Sequence, residues 1–218
     1  MALAGSGAII IWNDVREGTR DLLTDWHDRD HIPERTAIPG FLRGRRFAAV
    51  SGSPEFLILY ETADEHAAQS PAYFERLNNP SAWTVRANKN FLNTIRGICR
   101  VAGSVGIAEG GGALTLRLDP SEQEAAALDE RGVAALPALL AEPGILAAHW
   151  LVARREVSLI ETKERIGRAP LIAPNRVLVI EGHNTARVAA ACDRVLPELS
   201  GERGLYTLEA ARAAGHRE

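Results

Sequence analysis

The chain has 218 residues, of which 46% are hydrophobic and 24% charged, and its formal net charge is -3 at pH 7. These values are ordinary for a soluble globular chain, and they exclude collagen, a coiled coil and a wholly disordered protein. Lysine and arginine are not in excess over the acidic residues, so we expect no large nucleic-acid-binding surface. The length fits one large domain or two domains of about 100 residues each.

The cysteine content and the apolar runs bear on the compartment. Two cysteines, Cys99 and Cys192, are too few for a disulfide scaffold or a four-thiolate zinc site, and a reduced compartment is the simplest expectation. Residues 1–7 contain no Lys or Arg, and the apolar run at 8–12 is too short for the core of a secretion signal. No stretch approaches the roughly 20 apolar residues that a membrane span needs. We therefore expect a cytoplasmic protein with neither membrane nor nucleic acid among its partners.

The elements of the first half follow from apolar, β-branched runs and from Pro-Gly stop signals. The sequence AIIIW predicts the first strand, and the Pro39-Gly40 corner ends the first helix. The predicted order is βαββα(α)β, with strands at 8–12, 41–50, 55–61 and 95–108 and helices at 17–37, 63–77 and 81–94.

After a predicted linker at Gly110–Gly112 the same order begins again. The start of the next helix is marked by Asp119-Pro120-Ser121-Glu122, with proline where a first helical turn accepts it. The predicted elements are strands at 113–118, 145–154, 176–181 and 205–210, and helices at 121–141 and 185–199.

The two halves align as an internal repeat. The segment PERTAIPGFL at 33–42 matches PALLAEPGIL at 137–146, and further along the chain Glu181 matches Glu61. The alignment requires an insertion of roughly 16 residues in the second half, within about 155–174. This insertion could be a lid over a barrel end or a solvated excursion.

Each half predicts a four-stranded antiparallel sheet with two helices on one face. The bare apolar face must be covered, and the second half can supply the cover by closing a barrel. A pocket between the sheets or at a barrel end is then the expected ligand site.

The segment Trp26–Glu34, followed by Ile38-Pro39-Gly40-Phe41, resembles the dimeric α+β barrel superfamily, and most of all its branch of EthD-like proteins. Members carry a Trp, a His and a Pro late in the first helix and then a Pro-Gly corner, which here are Trp26, His31, Pro33 and Pro39-Gly40. Trp26 and His31 are five residues apart, where the family usually has four, and His27 is an additional histidine.

The resemblance implies an α+β fold of two tandem ferredoxin-like βαββαβ units, residues 1–109 and 110–218, forming a pseudo-dimeric α+β barrel. It implies chemistry only loosely, because this superfamily, which also contains the antibiotic-biosynthesis-monooxygenase-like proteins, includes cofactor-free monooxygenases, isomerases, cyclases, dehydratases and haem enzymes.

The candidate site lies late in the first helix. At about 100° per residue, an apolar sector is defined by Leu22, Leu23 and Trp26. Asp30 falls within this sector, His27 and Glu34 lie on its flank, and His31 lies further round. The functional interpretation is that His31 is a general acid/base, oriented by Asp30 or assisted by His27, because histidine titrates near neutral pH.

Comparison of the halves supports this interpretation without settling it. Alanine occupies the positions in the second half that match Asp30, His31 and Glu34. This pattern is expected if the first half is catalytic and the second half is structural. It is also expected if the residues of a solvated helix face have changed without functional constraint.

Several further residues are candidates for substrate contacts. They are aromatic or charged and lie close to the corner or at strand ends: Trp26, Glu34, Arg46, Tyr60 and Trp83. Trp83 could equally be a core residue of a capped helix. Arg96 and Arg100, on the last strand of the first half, could bind an anionic group or be surface arginines.

The functional expectation is a small-molecule enzyme without an organic cofactor or metal, acting by His-mediated proton transfer on an aromatic, polyketide-like or carbonyl substrate. Isomerase, dehydratase, cyclase and cofactor-free oxygenase reactions all fit. One alternative is a non-catalytic small-molecule-binding or accessory protein. Another is a metal- or haem-dependent enzyme, since His27 and His31 have ligand spacing, although zinc needs a third protein ligand that the sequence does not single out. A homodimer is compatible with the exposed helix faces.

Overall fold

The computed structural model describes residues 1–160, 162–165 and 172–215. In this part of the chain eight strands form one closed antiparallel barrel. They are β1 (Gly7–Val15), β2 (Phe41–Ser51), β3 (Phe56–Thr62), β4 (Phe91–Gly106), β5 (Gly112–Leu118), β6 (Ile145–Ala153), β7 (Arg176–Gly182) and β8 (Glu202–Ala213).

The helices pack outside the barrel. The described helices are α1 (Arg20–Trp26), α2 (Ile32–Thr36), α3 (Pro71–Asn78), α4 (Ala82–Asn88), α5 (Glu122–Ala141), α6 (Arg155–Ser158) and α7 (Thr185–Val195). A π-helical turn over His27–His31 joins α1 to α2, and short 3₁₀ turns occupy Ala67–Gln69 and Lys163–Arg165. None of the helices in the described ranges is long and apolar enough to cross a membrane.

The strand order around the barrel is β1-β3-β2-β8-β5-β7-β6-β4. Strands β1 to β4 form one sheet and β5 to β8 the other, and the pairings of β2 with β8 and of β4 with β6 join the two. The predicted α+β pseudo-dimeric barrel is therefore confirmed. The two Pro-Gly corners that carried the repeat also correspond, because Gly40 and Gly144 adopt positive φ angles of 88° and 85°, which glycine accommodates without strain.

Element boundaries differ from the predictions where long-range pairing decides them. The helix predicted over 81–94 ends at Asn88, because Phe91 already pairs with Val15 of β1 and opens β4. Strand β8 extends beyond the predicted 205–210 because it pairs with β2 from Arg43 to Ser51.

The barrel interior is filled with side chains. Alternate residues of every strand point inward, and they build a core that includes Trp12, Phe47, Leu57, Leu151 and Tyr206. Of the two positions expected for the pocket, the one between the sheets is wrong, because large apolar side chains from both halves occupy that space.

Charged residues sit at one end of this interior and connect the two halves. Arg45 of β2 is fully buried and donates to Glu181 of β7 at 2.6 and 2.8 Å, and it lies 3.2 Å from Glu61 of β3. His149 lies 3.3 Å from Glu181. Glu61 and Glu181 are the pair matched by the internal repeat, so the repeat is visible in the barrel itself. Burial would raise the pKa of Glu181, but the hydrogen bond from His149 and the charge of Arg45 outweigh it and hold this pKa well below its usual range.

Candidate functional site

The first half has a cavity between its helices and the outward face of its sheet. Its volume is about 80 Å³. Ile11, Ile58 and Ile98 form an apolar floor on β1, β3 and β4, and the α1–α2 helix and α3 form the walls. The cavity lies outside the barrel, under the helix that carries the two histidines.

The π-helical turn sets the direction of His31. The amide of Ile32 donates to the carbonyl oxygen of His27, five residues back, in place of the α-helical four. Five residues in a regular α-helix would turn the side chain by about 140° from Trp26. The wider turn instead brings His31 over Trp26, with ring centroids 4.4 Å apart. The five-residue spacing is thereby accommodated, and His31 shares the buried face with Trp26 and His27.

The helical projection was consequently wrong about His31 and Asp30. His31 is only 8% exposed and lines the cavity. Asp30 faces α4, where its carboxylate accepts hydrogen bonds from the hydroxyls of Ser81 at 2.9 Å and Thr84 at 3.2 Å. Asp30 makes these contacts at the start of α4 and does not orient His31.

His27 is fixed by a partner on each ring nitrogen. Its Nδ1 lies 3.1 Å from Nη1 of Arg46, and its Nε2 lies 3.2 Å from the hydroxyl of Tyr60. Because a guanidinium can only donate, Nδ1 is the acceptor, and a neutral ring carries its proton on Nε2 and donates it to Tyr60. Burial and then the charges of Arg46 and Arg35 hold the pKa of His27 well below its usual value. His27 is therefore a neutral side chain that donates to Tyr60.

Tyr60 is positioned as a hydrogen-bond donor toward the cavity. Its hydroxyl oxygen accepts from His27, which leaves its own proton available. Burial raises the pKa of Tyr60, so the phenol stays protonated. The ring lies edge-on to His31 at 6.4 Å between centroids, so the hydroxyl and His31 border the same space.

Arg46 supports this arrangement without lining the main cavity. Its guanidinium donates to Asp28 at 2.6 and 3.1 Å and to Glu209 of β8 at 3.1 Å. The sequence placed Arg46 among the substrate-binding residues, whereas the structure places it behind His27 as its hydrogen-bond donor.

Two other candidates lie away from the cavity lining. Glu34 pairs with Arg35 at 2.9 Å, and burial raises its pKa. Trp83 packs with Leu23, Trp26 and Ala87 in a small apolar cluster, as expected for the alternative in which it is a core residue. Of the predicted site residues, the cavity brings together Trp26, His27, His31 and Tyr60.

Asn13 is a cavity residue that sequence reasoning missed. It is 2% exposed, and its side-chain Nδ2 has no hydrogen-bond partner among the described residues. An unpaired buried amide donor costs about 1–3 kcal/mol, so this group is available to a ligand or a water molecule. The feature of the sequence that could have identified Asn13 is its position two residues after Ile11, which places both residues on the same outward face of β1.

The described part of the insertion lies over this cavity. Glu164 pairs with Arg35 at 2.5 Å, and the carbonyl of Ser158 accepts from Arg96 at 3.0 Å. Val157, Ile160 and Thr162 add to the lining. The insertion, for which a lid over a barrel end and a solvated excursion were both open, has described residues that cover the helix–sheet cavity of the opposite half. Residues 161 and 166–171 of the insertion lie outside the described residues.

The equivalent space in the second half is filled. Trp150 of β6 occupies the position that matches Arg46, and it packs against Gly132 of α5, where an added Cβ would lie 2.5 Å from the indole. Its Nε1 donates to Asp129 at 2.8 Å. Leu136 and Leu139 complete this core. The two halves thus share a fold, but in the second half an apolar core occupies the space beneath α5.

The described residues of the site do not form a metal centre. No three His, Cys, Asp or Glu side chains in the described ranges are grouped so as to hold a metal. Both nitrogens of His27 face other partners, Arg46 and Tyr60.

Known structures share this architecture at low sequence identity. An anthrone oxidase-like protein superposes with a TM-score of 0.65 at 13% identity, covering 99% of this chain and 97% of the other. A protein proposed to be a monooxygenase from Fusobacterium nucleatum gives 0.64 at 9% identity, covering 98% and 97%. A chlorite dismutase variant from Candidatus Nitrospira defluvii gives 0.55 at 10% identity, covering 94% and 90%.

No family sequence model and no curated protein sequence matches the chain. The structural likeness establishes the fold, an eight-stranded α+β barrel closed within a single polypeptide.

Proposed function

We propose that the chain is an enzyme that catalyses proton transfer on a small aromatic or carbonyl-containing substrate, without an organic cofactor. The observation that supports this most is the convergence of His31, the Tyr60 hydroxyl and the unpaired Asn13 amide on one cavity. An acid/base and hydrogen-bond donors within one space are what the formation of an enolate or phenolate requires.

In this proposal His31 takes a proton from a carbon next to the substrate carbonyl. The electron pair of the C–H bond moves onto the carbonyl oxygen, and the resulting enolate oxygen accepts a hydrogen bond from Tyr60. His27, neutral and held by Arg46, keeps the Tyr60 hydroxyl in place by donating to its oxygen. Return of the proton to carbon or to oxygen completes an isomerisation, and the same enolate is the first intermediate for the other reaction classes.

The names of the structural neighbours are compatible with this chemistry. Two of them are described as an anthrone oxidase-like protein and a proposed monooxygenase, and ketones of the anthrone type also react through an enolate. The size of the cavity favours a smaller substrate, so single-ring carbonyl compounds are the appropriate probes here.

Deuterium exchange measures the proposed step directly. The chain is incubated in D₂O with acetophenone and its ring-hydroxylated derivatives, and the loss of methyl protons next to the carbonyl is followed by NMR. We expect the wild-type chain to accelerate exchange over buffer. Binding of these ketones without accelerated exchange would refute the enzyme proposal and favour the alternative of a non-catalytic binding protein.

Replacing Tyr60 by phenylalanine is expected to lower the accelerated exchange by about 10- to 100-fold, since a hydrogen bond to a charged oxygen contributes about 1.5–3 kcal/mol. Tyr206→Phe is the matched control, because Tyr206 is buried inside the barrel and away from the cavity. Equal exchange rates in the two variants would contradict the role given to Tyr60.

A further inference from the structure

Among the described residues, the charges that line the cavity are not balanced pair by pair. Arg35 and Glu164 form an ion pair at 2.5 Å, and Arg35 also pairs with Glu34. Arg96, on the outward face of β4, donates to two neutral groups, the carbonyl of Ser158 at 3.0 Å and the hydroxyl of Tyr73 at 3.1 Å.

This distinguishes Arg96 from the buried arginines. Each of the four buried arginines among the described residues, Arg35, Arg43, Arg45 and Arg46, has at least two carboxylate partners. Arg96 is partly buried and has no carboxylate within ion-pair distance in the described ranges. A guanidinium withdrawn from water without an anion retains a desolvation cost that a bound anion would offset.

The unpaired amide of Asn13 lies beside this cation. Ile11 of β1 pairs with Arg96 of β4, so Asn13, two residues along β1, is the diagonal neighbour of Arg96 on the same face. The register of β1 against β4 shifts between Trp12 and Asp14, and both Asn13 and Arg96 line the cavity, so one small acceptor group can lie between their side chains. Arg96 offers a planar fork of N–H donors, which matches a carboxylate in two parallel hydrogen bonds.

The strand order separates this pair from the proposed reacting groups. Arg96 is on β4 and Tyr60 is on β3, with β1 between them, and neighbouring strands are about 4.8 Å apart. The two groups therefore flank the cavity at opposite sides of the β1 floor.

We propose that the substrate of this site carries a carboxylate, which Arg96 and the side-chain amide of Asn13 bind, while the carbonyl end of the substrate reaches Tyr60 and His31. The inference rests on the proposed function for the second half of that statement. Recognition of an aromatic acid by Arg96 does not depend on the proposed function and is tested separately.

Binding of benzoate and of benzamide, measured by titration calorimetry, tests this recognition. The two probes share the ring and differ in charge. We expect the wild-type chain to bind benzoate about 10- to 100-fold more tightly than benzamide, as a charge-assisted hydrogen-bonded pair provides. Arg96→Gln should abolish this preference, and Arg96→Lys should retain part of it.

The controls separate charge recognition from structural damage. Arg96→Gln also removes the contact with Ser158 of the insertion, and general damage would weaken both probes, whereas loss of the anion site weakens benzoate alone. Arg100→Gln is the matched variant, because Arg100 is exposed on the same strand and does not line the cavity, and it should keep the preference.

The proposal is overturned if the wild-type chain binds neither probe, if it binds both equally, or if Arg96→Gln retains the preference. An acid preference without deuterium exchange would refute the proposed function and leave this inference intact. Accelerated deuterium exchange without a preference for the acid would refute this inference and leave the proposed function intact.

Discussion

Replacing His31 by alanine is expected to slow the accelerated deuterium exchange by about 100- to 10,000-fold, the range that a positioned general base contributes. The reason is geometric, since the π-helical turn directs His31 into the cavity beside Tyr60. His183→Ala is the matched control, because His183 is exposed in the second half, and it should leave the exchange rate unchanged.

Chemical rescue distinguishes a catalytic role of His31 from a structural one, because an added base can restore the exchange rate only if the variant lacks a base. Alanine at position 31 leaves space for a small base, so added imidazole should restore part of the exchange in His31→Ala and none in Tyr60→Phe. Wild-type exchange rates in the His31→Ala variant without imidazole would show that another group is the base.

Replacing Glu181 by alanine is expected to lower the free energy of unfolding by about 3–5 kcal/mol, the cost of breaking a buried ion pair. The change leaves Arg45, which is fully buried, with Glu61 alone and removes the acceptor of His149. Denaturant unfolding measures the loss. Asp193→Ala is the control, because the Asp193 side chain is 63% exposed in its pair with Arg203, and such pairs contribute about 0–1 kcal/mol.

The pH dependence of the same variant has a defined sign. The pKa of Glu181 is depressed in the folded chain, so the carboxylate contributes stability above its unfolded pKa, which is about 4.3. This contribution is lost as the pH falls below that value. The wild type should therefore lose its advantage over Glu181→Ala progressively in acid. A stability difference that is below 1 kcal/mol at neutral pH, or that does not shrink in acid, would contradict the account of the barrel interior.

The fold could be predicted because its signals are local and occur twice. The Pro-Gly corners at Gly40 and Gly144 need positive φ angles, and the sequence preserves both. Apolar alternation along each strand then identifies a sheet face that must be covered. The pocket between the sheets was wrongly predicted, because the apolar alternation along the strands does not show whether the barrel interior is filled. Here Trp12 and Tyr206 help to fill it.

The site could be predicted in part. Trp26, His27, His31 and Tyr60 were identified and do line one cavity. The direction of His31 could not be derived, since a uniform 100° projection cannot represent a π-helical turn. Asp30 was placed in the apolar sector by the same projection, and it contacts Ser81 and Thr84 instead.

The remaining site residues depend on contacts that are distant in sequence. Glu164 pairs with Arg35, which lies 129 residues away in the sequence, and nothing near either residue in the sequence indicates this pairing. Arg96 and Arg100 were equivalent as sequence candidates, and only the structure separates the cavity residue from the exposed one.

The most direct test of where the site lies is a crystal structure of the chain with bound 4-acetylbenzoate, which carries both a carbonyl and a carboxylate on one ring. We expect ligand density between the α1–α2 helix and the outward face of β1, β3 and β4, with the ketone oxygen within hydrogen-bond distance of the Tyr60 hydroxyl. Density inside the barrel, beneath α5 in the second half, or only at the molecular surface would contradict it.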